Sequence, residues 1–153
     1  MNRDKYTFLK EAFTPLLKTL KSNTKGKWGV MNAQQMVEHF TEYVRMSSGV
    51  IKSEAYLTGE KSLRSKAFMM SDAPFKENTP NPLMPDLPPE VHNPDMASAI
   101  PELEEALGQF FKNFEENPGL VTMSPFFGEL NYEENIQLLH KHAIHHLKQF
   151  GLA

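Results

Sequence analysis

The chain has 153 residues, of which 40% are hydrophobic and 23% charged, a balance typical of one globular domain with a substantial core. Its formal net charge of −3 argues against a nucleic-acid-binding protein, which would normally carry a basic face. The sequence contains no cysteine, which excludes disulfides, a cysteine nucleophile and thiolate metal ligands, so any metal site must use nitrogen and oxygen.

The N-terminal segment predicts a helix and not a targeting signal. Asp4 can cap a helix that runs to about Leu20, with apolar residues at steps of three and four. Pro15 falls inside it, and we expect a kink or a break near Thr14 because a mid-helix proline removes one hydrogen bond. The segment lacks the apolar core of a signal peptide, and no run of about 18 apolar residues occurs in the chain. We therefore expect a cytoplasmic protein that does not enter a membrane.

A second helix is predicted after Asn32, which forms a capping-box pattern with Gln35. His39 lies three residues after Met36 and four before Tyr43, so we expect it to face the interior with the apolar stripe. A lone histidine on such a face is usually a core residue that is hydrogen-bonded to a carbonyl or a carboxylate. A metal-ligand role needs partners from elsewhere in the chain.

The carboxylates Glu38 and Glu42 flank His39 in the sequence. Glu42, three residues beyond the histidine, could orient a ligand or act as a catalytic base. The alternative for both glutamates is an exposed helix carboxylate without a catalytic role.

Residues 48 to about 98 lack a long helical period, although Thr58 to Met69 are compatible with a short helix. Seven of the eleven prolines fall between Ser71 and Asp95, a density that excludes regular helix or central strand. A loop this long in a compact domain is usually functional or disordered. Apolar residues are spread through it, which favours an ordered wrap, whether or not it serves as a lid. His92 lies in this segment and is expected to be exposed.

Pro101 suits the first position of a third helix, and glutamates follow it in the first turns. Asn117-Pro118-Gly119 is expected to end that helix. In the loop beyond it, Phe126 and Phe127 are expected to pack against the end of the helices. The alternative is an aromatic lip over a ligand pocket.

The segment NYEENIQLLHKHAIHHLKQFG, from Asn131 to Gly151, predicts a fourth helix and contains four of the six histidines. Asn131 and Glu134 form a capping-box pattern, and Gly151 suits the position after the helix end. His142 and His146 are one turn apart on the inward side and can together bind one metal ion. Because HxxxH is a short pattern with many chance matches, a hydrogen-bonded or solvated pair is the alternative.

A metal site built on this pair needs a third ligand, which the inward-facing His39 can provide. Three nitrogen ligands are the usual number for a catalytic metal with an open position, and facing helices can supply them. His145 lies three residues from His142 and offers a competing pair. We expect His145 to be exposed, or to contact a metal-ligating histidine without binding the metal itself, because His146 fits the apolar stripe better. His140 is expected to be solvated.

Two motifs carry a resemblance to a known family. WGVMNAQQMVEHF near the front and SPFFGELNYEENIQLLHKHAIHHLKQFG at the end resemble the DinB-like superfamily, over most of the chain. The resemblance implies one all-α domain over residues 1–153, a four-helix bundle with a long proline-rich crossover between helices 2 and 3. It also implies a metal bound by His39, His142 and His146, while Gln149 matches a glutamine of the family motif. Ser124 departs from the pattern, because a histidine often precedes the PFFG-type turn.

The resemblance also implies an activity. Members of the superfamily include transferases and isomerases that use a low-molecular-weight thiol as cosubstrate, so we expect a metal-dependent transferase or hydrolase acting on a small molecule. Zinc, nickel and iron(II) all accept imidazole ligands, and an open position can hold water or a thiolate. Relatives often pair as homodimers. The alternatives are a non-enzymatic bundle that binds a metal or small ligand, and a structural protein with an empty site.

Overall fold

A computed structural model describes residues 2–153, and this part of the chain is mostly helical with one small antiparallel sheet. No helix within it is both long enough and apolar enough to cross a membrane. In chain order the elements are α1 Arg3–Thr7, a π-helical turn Phe8–Ala12, α2 Phe13–Leu17, α3 Ala33–Ser47, α4 Gly59–Met70, α5 Met96–Glu116, β1 Thr122–Ser124, β2 Gly128–Leu130 and α6 Tyr132–Gln149.

The N-terminal helical stretch begins, and is interrupted, at other residues than predicted. Its cap is Asn2, whose side chain accepts a hydrogen bond from the backbone N–H of Lys5, and not Asp4. The expected disruption by Pro15 takes the form of the π-helical turn just before it, where the N–H of Phe13 bonds to the carbonyl of Phe8. Proline cannot donate to the carbonyl four residues earlier, so a wide turn at this point accommodates the missing hydrogen bond.

The core lies between α2, α3, α5 and α6, with α3 and α5 in the most extensive contact. Phe13, Phe40 and Phe110 are its largest fully buried side chains. Truncating a buried phenylalanine to alanine typically costs about 3–5 kcal/mol, so these rings fix the helices firmly against one another. A smaller apolar cluster lies between α4, the hairpin and α6, and consists of Met69, Phe127, Leu130 and Leu138.

Local capping signals set the ends of the two helices that matter most for the site. The capping boxes of Asn32 with Gln35 at α3 and of Asn131 with Glu134 at α6 are both formed, as predicted. At the end of α6, Gly151 adopts a φ of 76°, which a residue with a side chain rarely adopts. The predictions for these helices are confirmed.

The predicted start of the third helix is wrong. Helix α5 begins at Met96, five residues before Pro101, because the side chain of Asp95 accepts a hydrogen bond from the N–H of Ser98 and caps the helix there. Pro101 therefore lies inside the helix, where it removes a single backbone hydrogen bond. The helix ends at Glu116, immediately before the predicted Asn-Pro-Gly stop.

The segment after α5 forms a hairpin that the all-helical prediction did not include. β1 and β2 pair with Thr122 opposite Leu130. The hydroxyl of Thr122 donates to the carbonyl of Ser47 at the end of α3 and accepts from the Asn135 amide of α6. The hairpin thus joins α3 and α6. Phe127 at its turn is buried.

The proline-rich segment, residues 71–95, follows α4, and its last residues lie against α3. Helix α4 matches the short helix expected between Thr58 and Met69. Its C-terminal end is held by Lys141 of α6, whose ammonium donates to the carbonyls of Phe68 and Ser71. The carbonyl of Asn93, near the other end of the segment, accepts a hydrogen bond from the Gln34 amide of α3. The segment is therefore anchored at both ends.

Candidate metal-binding site

His39 of α3 and the pair His142 and His146 of α6 converge inside the helical core. One ligand nitrogen from each ring can be chosen so that all three lie within 4.8 Å of one another. The ring centroid of His39 lies 5.5 Å from that of His142 and 5.6 Å from that of His146. Two helices that are about 100 residues apart in sequence thus bring together the three histidines that spacing had suggested.

Burial keeps these imidazoles neutral. His142 and His146 are 9% and 4% exposed, and His39 is partly exposed. Desolvation lowers the pKa of His39 to about 4 and, with a contribution from the charge of its neighbours, that of His146 to about 3. The pKa of His142 is also lowered well below its ordinary value, first by burial and then by the other histidines. At neutral pH each ring therefore offers a lone pair, the form that binds a metal.

Gln149 fixes the orientation of His146. Its amide nitrogen donates to the carbonyl of Trp28 at 3.0 Å, so its oxygen faces the histidine and accepts from the Nδ1–H of His146 at 2.7 Å. The proton of His146 is thereby held on Nδ1 and the lone pair on Nε2. Nε2 of His146 lies 2.8 Å from Nε2 of His142, inside the cluster. The tautomer that Gln149 selects is the one that a metal ligand at this position requires.

The loop before α3 holds Gln149 in place. The N–H of Lys27 donates to the backbone carbonyl of Gln149 at 2.7 Å. Gly29 has a φ of 79°, and a Cβ added there would lie 2.9 Å from the Gln149 amide nitrogen. A glycine at this position lets the loop approach the glutamine closely. The WG motif at Trp28 thus positions a residue that supports the cluster.

The donor set fits a divalent transition metal. With metal–imidazole bonds of about 2.1 Å, tetrahedral ligand nitrogens lie about 3.4 Å apart. The Nε2 atoms of His142 and His146, at 2.8 Å, would have to separate slightly, and a pair at the 4.8 Å limit would have to close by about 1.4 Å. Nδ1 of His142 is buried and has no hydrogen-bond partner among the described residues. No carboxylate belongs to the cluster, so its ligands are three neutral nitrogens. Such a set suits zinc, nickel or iron(II) better than magnesium or calcium.

A cavity of about 320 Å³ adjoins the cluster. His39 lines it, whereas His142 and His146 do not. Its walls come from α3, from the proline-rich segment and from the hairpin turn, where Phe126 forms part of the surface. The two phenylalanines after β1 therefore have different positions. Phe127 is buried in the core, as expected. Phe126 lines the cavity, which corresponds to the alternative of an aromatic residue at a ligand pocket. A ligand in the cavity would meet the histidine cluster at His39.

Glu42 lies on the wall of this cavity and is exposed. It is three residues beyond His39 on the same helix. Its carboxylate is therefore available to a molecule in the cavity, and its proposed role as a base stays a prediction.

Glu38 differs from the exposed carboxylate that the sequence suggested. It is only 7% exposed, and its oxygens accept hydrogen bonds from the backbone N–H groups of His92 and Asn93 at 2.8 and 3.2 Å. The ring of His92, although largely exposed, also lies between Glu38 and Glu102. Burial opposes ionisation of Glu38, but these hydrogen bonds outweigh it and lower the pKa of the carboxyl. Glu38 thus anchors the proline-rich segment to α3.

The other two histidines of α6 lie outside the cluster. His145 is partly buried, and its ring centroid lies 5.7 Å from that of Trp28 and 6.2 Å from that of Phe75. It therefore packs behind His146, with ring centroids 5.3 Å apart, and does not join the three nitrogens. His140 was expected to be solvated; it is partly exposed, and its ring also packs against Phe8 with ring centroids 5.2 Å apart.

Replacing Gln149 with leucine is expected to weaken metal binding about 10- to 100-fold, because His146 loses the acceptor that fixes its tautomer. Chelator competition measures this change. Gln109→Leu, an exposed glutamine of α5, is the matched control and should bind as the wild type does. Unchanged affinity in Gln149→Leu would show that the glutamine does not support a ligand.

Replacing Glu38 with glutamine is expected to loosen the end of the proline-rich segment, because one of the two acceptor oxygens becomes a donor facing N–H groups. Amide hydrogen exchange at His92 and Asn93 should rise by about tenfold, which corresponds to about 1.4 kcal/mol of local opening free energy. Glu60→Gln, on the exposed surface of α4, serves as the control. Unaltered exchange at both amides would contradict the anchoring role.

Comparison with known proteins assigns no family, since no family model, curated protein or solved structure matches the chain. The resemblance to the DinB-like superfamily therefore stays a prediction from sequence motifs. What supports a metal site is the geometry of the three histidines and of Gln149.

Proposed function

We propose that the chain is a metal-dependent enzyme of the DinB-like superfamily, a transferase or hydrolase acting on a small molecule. The observation that carries the proposal is the convergence of three neutral imidazoles from α3 and α6 beside a cavity that His39 lines. The four-helix bundle of this family would consist of the α1–α2 stretch, α3, α5 and α6, with α4 and the proline-rich segment as the crossover. These four also enclose the main core.

His39, His142 and His146 would hold the ion, which supplies Lewis acidity and lowers the pKa of a bound water or thiol. The protein's own groups have separate tasks. Gln149 holds the proton of His146 on Nδ1. Glu42, on the cavity wall, is placed to accept a proton from a substrate or to orient it. Phe126 and residues of the proline-rich segment line the cavity and would flank a bound substrate.

The chain supplies no thiol, so a thiol nucleophile would come from a low-molecular-weight cosubstrate. Zinc, nickel and iron(II) are the candidate ions, because all three bind imidazole well. A non-enzymatic protein that binds a metal or a small ligand would use the same cluster and cavity, and the experiment must separate it from an enzyme.

Turnover assays distinguish these functions. Protein loaded with each candidate metal is incubated with small electrophiles and hydrolysable esters or amides, with and without several thiols. We expect a rate that requires the metal, falls in the metal-free protein and falls in Glu42→Gln. Metal binding without any metal-dependent rate across a broad panel would favour the binding protein over the enzyme.

A further inference from the structure

The charged side chains that line the cavity beside His39 are mostly acidic. Among the described residues that line it, Glu38, Glu42 and Glu90 are acidic, and none is a lysine or an arginine. His92 also lines the cavity, but its ring lies between the carboxylates of Glu38 and Glu102. Any positive charge on His92 is therefore already balanced. In the metal-free protein, an anionic ligand would therefore meet no lysine or arginine in this cavity.

Two of these carboxylates remain available to a ligand. Glu42 and Glu90 are exposed, and neither has an ion pair with a described residue at 4.0 Å or less. Glu38, in contrast, is occupied by the backbone of the proline-rich segment. Glu42 is the available carboxylate on the helix that carries His39, so it is the group best placed to meet a charged part of a ligand.

The rest of the wall is largely apolar. Side chains from α3, the proline-rich segment, the hairpin turn and α6 contribute to it, namely Met46, Leu83, Met84, Phe126 and Leu138. Ser124 also lines the cavity, and its hydroxyl is buried without a hydrogen-bond partner among the described residues. A volume of about 320 Å³ lies at the small end of the range for ligand sites. The cavity therefore suits a small molecule with an apolar body and one positively charged or polar end.

We propose that this cavity binds a small amphipathic amine, with its apolar body against the proline-rich wall and its ammonium group at Glu42. The inference rests on the proposed function, because it names the substrate class of the same site. In the metal-free protein, the acidic side chains Glu42 and Glu90 disfavour multiply anionic ligands. Glu42 is accordingly a specificity-determining residue.

A pair of probes with the same ring and opposite charge tests the proposal: 2-phenylethylamine and 3-phenylpropionate. The full chain is first freed of metal with a chelator and dialysed, because a carboxylate would otherwise bind the ion directly. Binding is followed by the shifts of backbone amide NMR signals. We expect saturable binding of the amine, about tenfold tighter than that of the acid, with shifts at cavity residues. Equal or tighter binding of the acid, or no saturable binding of either probe, would overturn the proposal.

Glu42→Gln removes the charge and keeps the shape, and it should reduce the preference for the amine by about fivefold, the upper end for a partly exposed ion pair. Glu116→Gln, an exposed glutamate that does not line the cavity, should leave the preference unchanged. A preference that survives Glu42→Gln unaltered would overturn the assignment of Glu42. Since these measurements use metal-free protein, their failure leaves metal binding intact, and a failure to bind metal leaves the charge preference intact.

Discussion

Replacing His39 with alanine is expected to abolish stoichiometric metal binding. His39 is the only ligand that α3 provides to the cluster, and His142 and His146 alone form a two-nitrogen site on one helix. A divalent ion held by two imidazoles binds far more weakly than one held by three. Elemental analysis of protein prepared without an affinity tag or a nickel column should show about one metal ion per wild-type chain and only the buffer background in His39→Ala.

A histidine outside the cluster provides the control for this experiment. His140 lies on α6 with the two ligands, but its ring packs against Phe8 and not into the cluster. His140→Ala should therefore retain the metal. Circular dichroism on all variants checks that the helices persist. If His39→Ala keeps its metal while folded, the ion is bound elsewhere and the proposed site is wrong.

The metal-free protein is expected to lose stability as the pH falls from about 6.5 towards 4. Burial lowers the pKa of His39 to about 4 and that of His146 to about 3, whereas a histidine in the unfolded chain titrates near 6.5. Between these values the unfolded chain binds more protons than the folded one, so acid favours unfolding. The contribution of His39 to the unfolding free energy is therefore complete above about pH 6.5 and falls by about 2 kcal/mol by pH 5.

Urea denaturation in the presence of a chelator, between pH 7 and 5, measures this loss above the range in which most carboxylates titrate. His146→Leu should reduce the loss, because it removes one of the buried groups. The pKa of His92 is shifted the other way, raised by Glu102 and opposed by burial, so His92→Asn should not reduce the loss. An unfolding free energy that stays constant over this pH range would show that the three rings are not buried together as neutral groups.

Local signals in the sequence were sufficient to predict the two helices that carry the site. Each has a complete capping box, which depends on residues only three positions apart. The inward positions of His39, His142 and His146 follow from the helical period in the same way. Once both helices pack in one core, inward residues at similar depth meet, which is why the cluster was accessible to sequence reasoning.

The features that were missed depend on contacts between distant parts of the chain or on competing local signals. Asp95 caps α5 and outweighs the preference of Pro101 for a helix start. The hairpin has strands of three residues each, too short to show an alternating pattern. Glu38 is buried by its contacts with His92 and Asn93, which lie more than 50 residues away in the sequence. No pattern around Glu38 indicates that contact.

Anomalous diffraction from crystals of the metal-loaded protein, collected on both sides of the absorption edge of the ion, tests the central claim most directly. We expect one anomalous peak per chain, at about 2.0–2.2 Å from a nitrogen of each of His39, His142 and His146, with Gln149 still hydrogen-bonded to His146. A peak at any other group of residues, or metal-soaked crystals without a peak between the three rings, would contradict it.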